Sequence, residues 1–138
     1  MLARLLPMTM PILLSVLSLA AATPTSLSAL QWEKRVLLIS APAEQDRWLH
    51  EQRLIMTRWK AAAEDRDLQV IEIIGEKVTG VSDAPAMLRK RFNLPSDRFS
   101  VVLIGKDGGL KMRQTRPIAA ALLEETIDAM PMRRQEKR

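Results

Sequence analysis

Residues 100–113 read Ser-Val-Val-Leu-Ile-Gly-Lys-Asp-Gly-Gly-Leu-Lys-Met-Arg and contain the strongest structural signal of the chain. The first five residues form a short apolar run, which is typical of a buried strand. The last four alternate between apolar and polar residues, as a half-buried strand does. The Asp-Gly pair between them favours a tight turn, because glycine accepts the positive φ that such turns need. The stretch therefore predicts a β-hairpin, with Gly108 and Gly109 serving the turn.

Upstream and downstream of this hairpin, strand and helix patterns alternate. Apolar runs predict strands at residues 36–39 and 68–74, and spaced apolar residues predict a helix between them at residues 44–65. A polar loop is expected at residues 76–83, a short helix follows it, and a last helix is predicted at residues 117–130. The order β-α-β-α-β-β-α fits an α/β fold with a four-stranded mixed sheet and helices on both faces. This arrangement resembles the thioredoxin fold, whose strand order is 4-3-1-2 with the third strand antiparallel.

The N-terminal segment has the pattern of a secretory signal peptide. Arg4 precedes an apolar run, and Ala20-Ala21-Ala22 satisfies the small-residue cleavage rule, with the cut expected before Thr23. Residues 26–28 offer a second cleavage site, and a retained membrane anchor is the alternative. We therefore expect an exported protein, periplasmic or secreted, with no transmembrane segment after cleavage. The predicted division is a signal peptide at 1–22, a polar linker at 23–30, a thioredoxin-like domain at 31–132 and a charged C-terminal tail at 133–138.

Composition excludes several classes of chemistry. The 138 residues include no cysteine and one histidine. The chain therefore cannot form disulfides, thiolate metal sites or a cysteine nucleophile, and two-histidine metal sites are excluded as well. Ser40 has no neighbouring base in the sequence, and His50 is expected on the outer side of its helix. We assign no catalytic, cofactor-binding or metal-binding residue.

Four segments resemble one particular thioredoxin-like family, a domain of unknown function found in secreted bacterial proteins and in animal extracellular proteins such as equarin and the sushi-repeat proteins. They are the segments that begin at Trp32, Leu88, Phe99 and Ile127, and the similarity extends from about Leu30 to Glu136. The most specific similarity lies at residues 104–111 and in the Met-Pro-Met-Arg-Arg sequence at residues 130–134.

The resemblance implies a fold more than an activity. A peroxiredoxin-like activity has been suggested for some members, and thioredoxins carry their reactive cysteines directly after the first strand. Residues 40–46 occupy that place here, and none of them can form a thiolate or a sulfenic acid. We therefore expect a non-catalytic binding module that acts outside the cytoplasm. The alternative is an accessory to an envelope redox or peroxide-defence enzyme in which a partner supplies the thiol.

Basic residues mark the place where a partner is expected to bind. The formal net charge is +5, and cleavage after Ala22 removes one of 21 basic residues and none of 16 acidic ones, which leaves +4. The hairpin and the last helix are neighbours in a thioredoxin-like fold, so their charges could form one basic surface for a protein partner or an anionic ligand. Nucleic acid is disfavoured because no aromatic residues interleave with the basic ones, and a merely solubilising role is the alternative. The predicted binding surface comprises Lys106, Asp107, Lys111, Arg113, Arg133 and Arg134.

Overall fold

The computed structural model describes residues 25–138, and the predicted signal peptide and its cleavage site before Thr23 lie outside them. Within the described residues the chain forms one sheet of five strands, with helices packed against it. The strands are β1 (Arg35–Ala41), β2 (Leu68–Ile74), β3 (Lys77–Thr79), β4 (Ser100–Ile104) and β5 (Leu110–Gln114). The helices are α1 (Arg47–Arg58), α2 (Lys60–Asp65), α3 (Pro85–Phe92), α4 (Ala120–Asp128) and α5 (Pro131–Glu136), with a 3-10 helix at Leu27–Leu30. None of the helices in this part of the chain has both the length and the apolar character needed to cross a bilayer.

The sheet has the strand order β3-β2-β1-β4-β5. β1 and β2 are parallel, and the other neighbouring pairs are antiparallel. The mixed α/β sheet is confirmed, but the prediction of four strands is wrong, because β3 pairs with β2. The sequence predicted a polar loop at residues 76–83, which contain β3, because a three-residue strand is too short to show a period of two. Gly75, with φ of +56°, makes the tight turn between β2 and β3.

Helices cover both faces of the sheet, as predicted. Successive side chains of a strand point to opposite faces, so β1 contributes to two separate apolar cores. Leu37 and Ile39 pack in the core that also contains apolar residues of α1, α2 and α4. Val36 and Leu38 pack in the second core, with residues of α3 and of the 3-10 helix.

Two predicted helices are interrupted or shortened. The helix expected at residues 44–65 divides at Trp59 into α1 and α2. The helix expected at residues 117–130 begins only at Ala120, because the backbone of Ile118 is held by a side chain of α1. Gln52 accepts a hydrogen bond from the Ile118 N–H at 2.7 Å and donates one to the Ile118 carbonyl at 3.1 Å. These two contacts keep residue 118 outside the helix.

The ends of the described chain are more ordered than the sequence suggested. Residues 23–30 were expected to be a polar linker, but Leu27 and Leu30 are buried in the second core. Asp83 holds this segment by accepting a hydrogen bond from the Leu27 N–H at 2.7 Å. Residues 133–138 were expected to be a frayed charged tail, but α5 continues to Glu136. Its charged side chains reach back to the sheet, as described below.

Candidate functional site

The carboxyl end of β1 is the place where thioredoxins carry their reactive cysteines. Here the Ser40 side chain is buried, and its Oγ has no hydrogen-bond partner within the described residues. The Asp46 carboxylate accepts hydrogen bonds from the Trp48 and Leu49 N–H groups at 2.9 and 3.1 Å. Asp46 thus caps the N-terminus of α1. No nucleophile and base are brought together at this end of β1 in the described structure.

The opposite end of β1 brings together the hairpin turn and α5. Because β4 is antiparallel to β1, Ile104 at the end of β4 pairs with Val36 near the start of β1. The turn that follows is closed by a hydrogen bond from the Gly105 N–H to the Gly109 carbonyl at 2.9 Å. Gly108 has φ of +81°, so the predicted role of this glycine in the turn is confirmed.

Two residues after the 3-10 helix hold the turn in place. The Gln31 side-chain amide donates to the Asp107 carbonyl at 2.9 Å. The Trp32 N–H donates to the Lys106 carbonyl at 2.6 Å. Trp32 has φ of +72°, a strained conformation for a bulky residue, and its side chain is 59% exposed. The hydrogen bond from Trp32 to Lys106 therefore both maintains the strained backbone of Trp32 and positions Lys106.

Glu136 connects α5 to both the turn and β1. Its carboxylate accepts hydrogen bonds from the Lys106 ammonium at 2.6 Å and from the Arg35 guanidinium at 3.2 and 3.3 Å. Lys106 has a second partner, Asp67, at 2.8 Å. Burial tends to raise the pKa of Glu136, but the hydrogen bonds from Lys106 and Arg35 outweigh it and hold that pKa below its ordinary value. Burial likewise opposes the charge of Lys106, but Asp67 and Glu136 raise its pKa.

A second group of ion pairs connects α5 to α2 and α4. The Arg133 guanidinium donates to the Asp65 carboxylate at 2.6 Å and to the Asp128 carboxylate at 3.3 Å. Arg66 donates to both oxygens of Asp128, at 3.0 and 3.1 Å, and to Glu124 at 3.1 Å. Arg66 is the main reason that the pKa of Asp128 is lowered to about 2; burial opposes the shift, and Arg133 adds to it. We refer to the contacts of Glu136, Arg133 and their partners as the α5 ion pairs.

The six residues of the predicted binding surface occupy different environments. Lys106 and Arg133 are buried, and carboxylates of the same chain pair with their charges. Asp107 and Lys111 pair with each other at 2.8 Å. The hairpin and the chain end are neighbours, as expected, but they do not form a single exposed basic surface, because carboxylates of the same chain neutralise part of the charge. Of the last two residues of the predicted surface, Arg113 donates hydrogen bonds to the main-chain carbonyls of Phe92 and Asn93. Arg134 is exposed and has no carboxylate partner within residues 25–138.

A pocket of about 160 Å³ lies between the turn and α5. It is lined by Arg35, by residues 105–107 of the turn with Lys111 of β5, and by residues 130–132. Sequence reasoning did not propose Arg35, Met130 or Met132 as site residues. The only signals that pointed to them were the family similarity at residues 130–134, which contain the two methionines, and in the segment that begins at Trp32, which contains Arg35. Among residues 25–138, no group of three or more metal-ligating side chains is placed to hold an ion.

Comparisons with known proteins agree with this fold. A family model described as "Domain of unknown function (DUF4174)" matches residues 26–136. The chain is 26% identical over 133 residues to the coiled-coil domain-containing protein 80 of Danio rerio, an alignment that covers 80% of this chain and 15% of that protein. The chain thus corresponds to a small part of that relative.

The crystal structure of the reduced 2-Cys peroxiredoxin of Plasmodium vivax is similar to the described structure. The TM-score is 0.59, the sequence identity is 17%, and the match covers 81% of this chain and 85% of the other. At this identity the likeness shows the fold alone. The thioredoxin-like fold predicted from the sequence is therefore confirmed.

Proposed function

Since the chain belongs to the Domain of unknown function (DUF4174) family, we propose that it is a non-catalytic thioredoxin-like binding module that acts outside the cytoplasm. The observation that carries the proposal is the pocket between the turn and α5, at the opposite end of β1 from the place of the thioredoxin cysteines. A chain without cysteine cannot perform thiol catalysis, whatever its fold. A pre-formed pocket elsewhere on that fold supports binding instead.

The α5 ion pairs support the pocket by fixing its walls. Glu136 ties α5 to Lys106 in the turn and to Arg35 in β1, and both of these residues line the pocket. Buried ion pairs contribute little net stability compared with well-packed apolar residues. The two pairs that Glu136 makes with pocket residues are better explained by the positioning of those residues, which a binding site requires.

Action outside the cytoplasm rests on the signal-peptide pattern of residues 1–22. Cells that express the full chain should release a mature form that begins near Thr23. Intact-mass measurement on protein from the medium or the extracytoplasmic fraction tests this expectation. A mass that retains residues 1–22 would contradict cleavage.

Site-specific photo-crosslinking tests the binding role. A diazirine-bearing lysine analogue at Lys111, which lines the pocket, should form discrete protein adducts in the extracytoplasmic fraction. The same analogue at Lys60 is the control, because this lysine is exposed on α2 and also makes an i,i+4 ion pair. The proposal predicts adducts at Lys111 and few at Lys60. Equal yields at both positions, or none at Lys111, would argue against a binding site at this pocket.

A further inference from the structure

We propose that the pocket between the turn and α5 receives a single apolar side chain from an acidic peptide segment of a partner protein. This inference rests on the proposed binding function and specifies the chemistry of the partner. The size of the pocket, the pairing of its inner cations and the exposed charge of Arg134 on α5 support it.

The size and lining of the pocket suit one apolar side chain. Its volume is about 160 Å³, close to that of an engineered apolar cavity, about 150 Å³, that holds benzene. Met130, Pro131 and Met132 form one wall. Methionine side chains are flexible and polarizable, so they adapt to apolar groups of different shape. The pocket is therefore large enough for a group the size of a leucine or phenylalanine side chain.

The cations inside the pocket are not available to an incoming anion. The Lys106 ammonium already contacts two carboxylates, at 2.8 and 2.6 Å, and Glu136 occupies both terminal nitrogens of Arg35. An anionic ligand would have to displace Glu136 before it could bind there. The Arg35 Nε also lacks a hydrogen-bond partner within residues 25–138, but it is fully buried and so is not exposed to a ligand in the pocket.

An exposed cation projects from the same side of α5 as one of the residues that line the pocket. Arg134 lies three residues after Pro131 in this helix, which places the two side chains on one face. It has no carboxylate partner within the described residues, and the nearby charge of Asp107 is neutralised by Lys111. A partner segment with acidic residues beside its apolar anchor complements the charge of Arg134.

Two probe peptides test the apolar anchor. We would titrate the purified full-length chain, labelled at the methionine ε-methyl groups, with Asp-Glu-Leu-Glu-Asp and with the same peptide carrying alanine in place of leucine. The leucine peptide should shift the methyl signals of Met130 and Met132 and bind at least about tenfold more tightly than the alanine peptide. Met132→Gln should weaken binding of the leucine peptide, whereas Met87→Gln, at an exposed methionine of α3, should not. Equal affinities for the two peptides would overturn the proposal.

The acidic character of the segment is tested separately. Arg134→Glu should weaken binding of the leucine peptide, and Arg58→Glu, which changes the net charge equally at an exposed position of α1, should not. The acidic character of the partner would be overturned if the two variants had equal effects, or if Lys-Lys-Leu-Lys-Lys bound as tightly as the acidic leucine peptide. A heparin fragment that shifts both methyl signals when neither acidic peptide does would also overturn it, in favour of a glycan. Crosslinking at Lys111 without peptide binding would refute this inference and leave the binding function standing.

Discussion

Arg133 and Arg134 are adjacent in the sequence and identical in chemistry, but replacing each by alanine is expected to have different effects on the stability of the fold. The Arg133 side chain is 7% exposed and donates to the Asp65 carboxylate, the Asp65 carbonyl and the Asp128 carboxylate. Arg134 is exposed and makes no ion pair within residues 25–138. Arg133→Ala should therefore destabilise the fold, and Arg134→Ala should not.

The magnitude follows from the partners that Arg133→Ala leaves behind. A hydrogen bond to a charged group contributes about 1.5–3 kcal/mol, and loss of the buried aliphatic stem adds to this. The Asp65 side chain is 68% exposed, so water replaces much of that contact, and its contribution falls to about 0–1 kcal/mol. Asp128 keeps its two hydrogen bonds from Arg66. We expect a loss of about 2 kcal/mol in the free energy of unfolding for Arg133→Ala and less than about 0.5 kcal/mol for Arg134→Ala.

Equilibrium unfolding in urea, followed by circular dichroism, measures both variants against the unmodified chain. A loss of about 2 kcal/mol corresponds to a midpoint about 1 M lower, for an ordinary dependence on denaturant. Arg133→Lys should be intermediate, since lysine keeps the charge but loses the planar fork. Equal midpoints for Arg133→Ala and Arg134→Ala would refute the reasoning, because they would mean that removing the buried contacts of Arg133 costs no more than removing an exposed arginine.

Three further predictions concern acid stability, the turn and catalysis. Contact with Arg66 lowers the pKa of Asp128 from 3.8 to about 2, so the contribution of the Asp128 carboxylate to stability is complete above pH 3.8 and is lost as the pH falls towards 2. Asp128→Asn should flatten this part of a curve of unfolding free energy against pH. An unchanged slope would contradict the assignment. Gly108→Val should lower the free energy of unfolding by about 1 kcal/mol or more, because valine is strained at positive φ and its Cβ would meet Gln31. Gly109→Val should lower the free energy of unfolding less, because this glycine does not have positive φ. The order of the two midpoints in urea checks this prediction. The purified chain should show no sustained turnover of hydrogen peroxide with dithiothreitol above a heat-denatured control, since methionine oxidation is stoichiometric.

Local pattern was enough to predict the central strands and the hairpin. The run Ser100–Ile104 and the glycines after it appear in the structure as β4 and its turn. An apolar run of this length stabilises the fold only when it is buried, and Gly108 accepts the backbone angle that the turn demands. Both properties belong to residues that are close together in the chain. The α/β class and the succession of core strands along the chain therefore followed from local pattern, whereas their order in the sheet was implied by the resemblance to the thioredoxin fold.

The environment of each charged residue was decided by tertiary structure. Arg35 and Glu136 form an ion pair although 101 residues separate them, and Lys106 joins the same carboxylate from 30 residues away. No local spacing reveals such a pair, so the sequence alone could not distinguish buried Arg133 from exposed Arg134. A charged side chain becomes buried only where distant carboxylates compensate its lost hydration, and the packing of α5 against the start of β1 creates that place. The same packing forms the pocket, which is why the sequence located the hairpin and the chain end as neighbours but not the site between them.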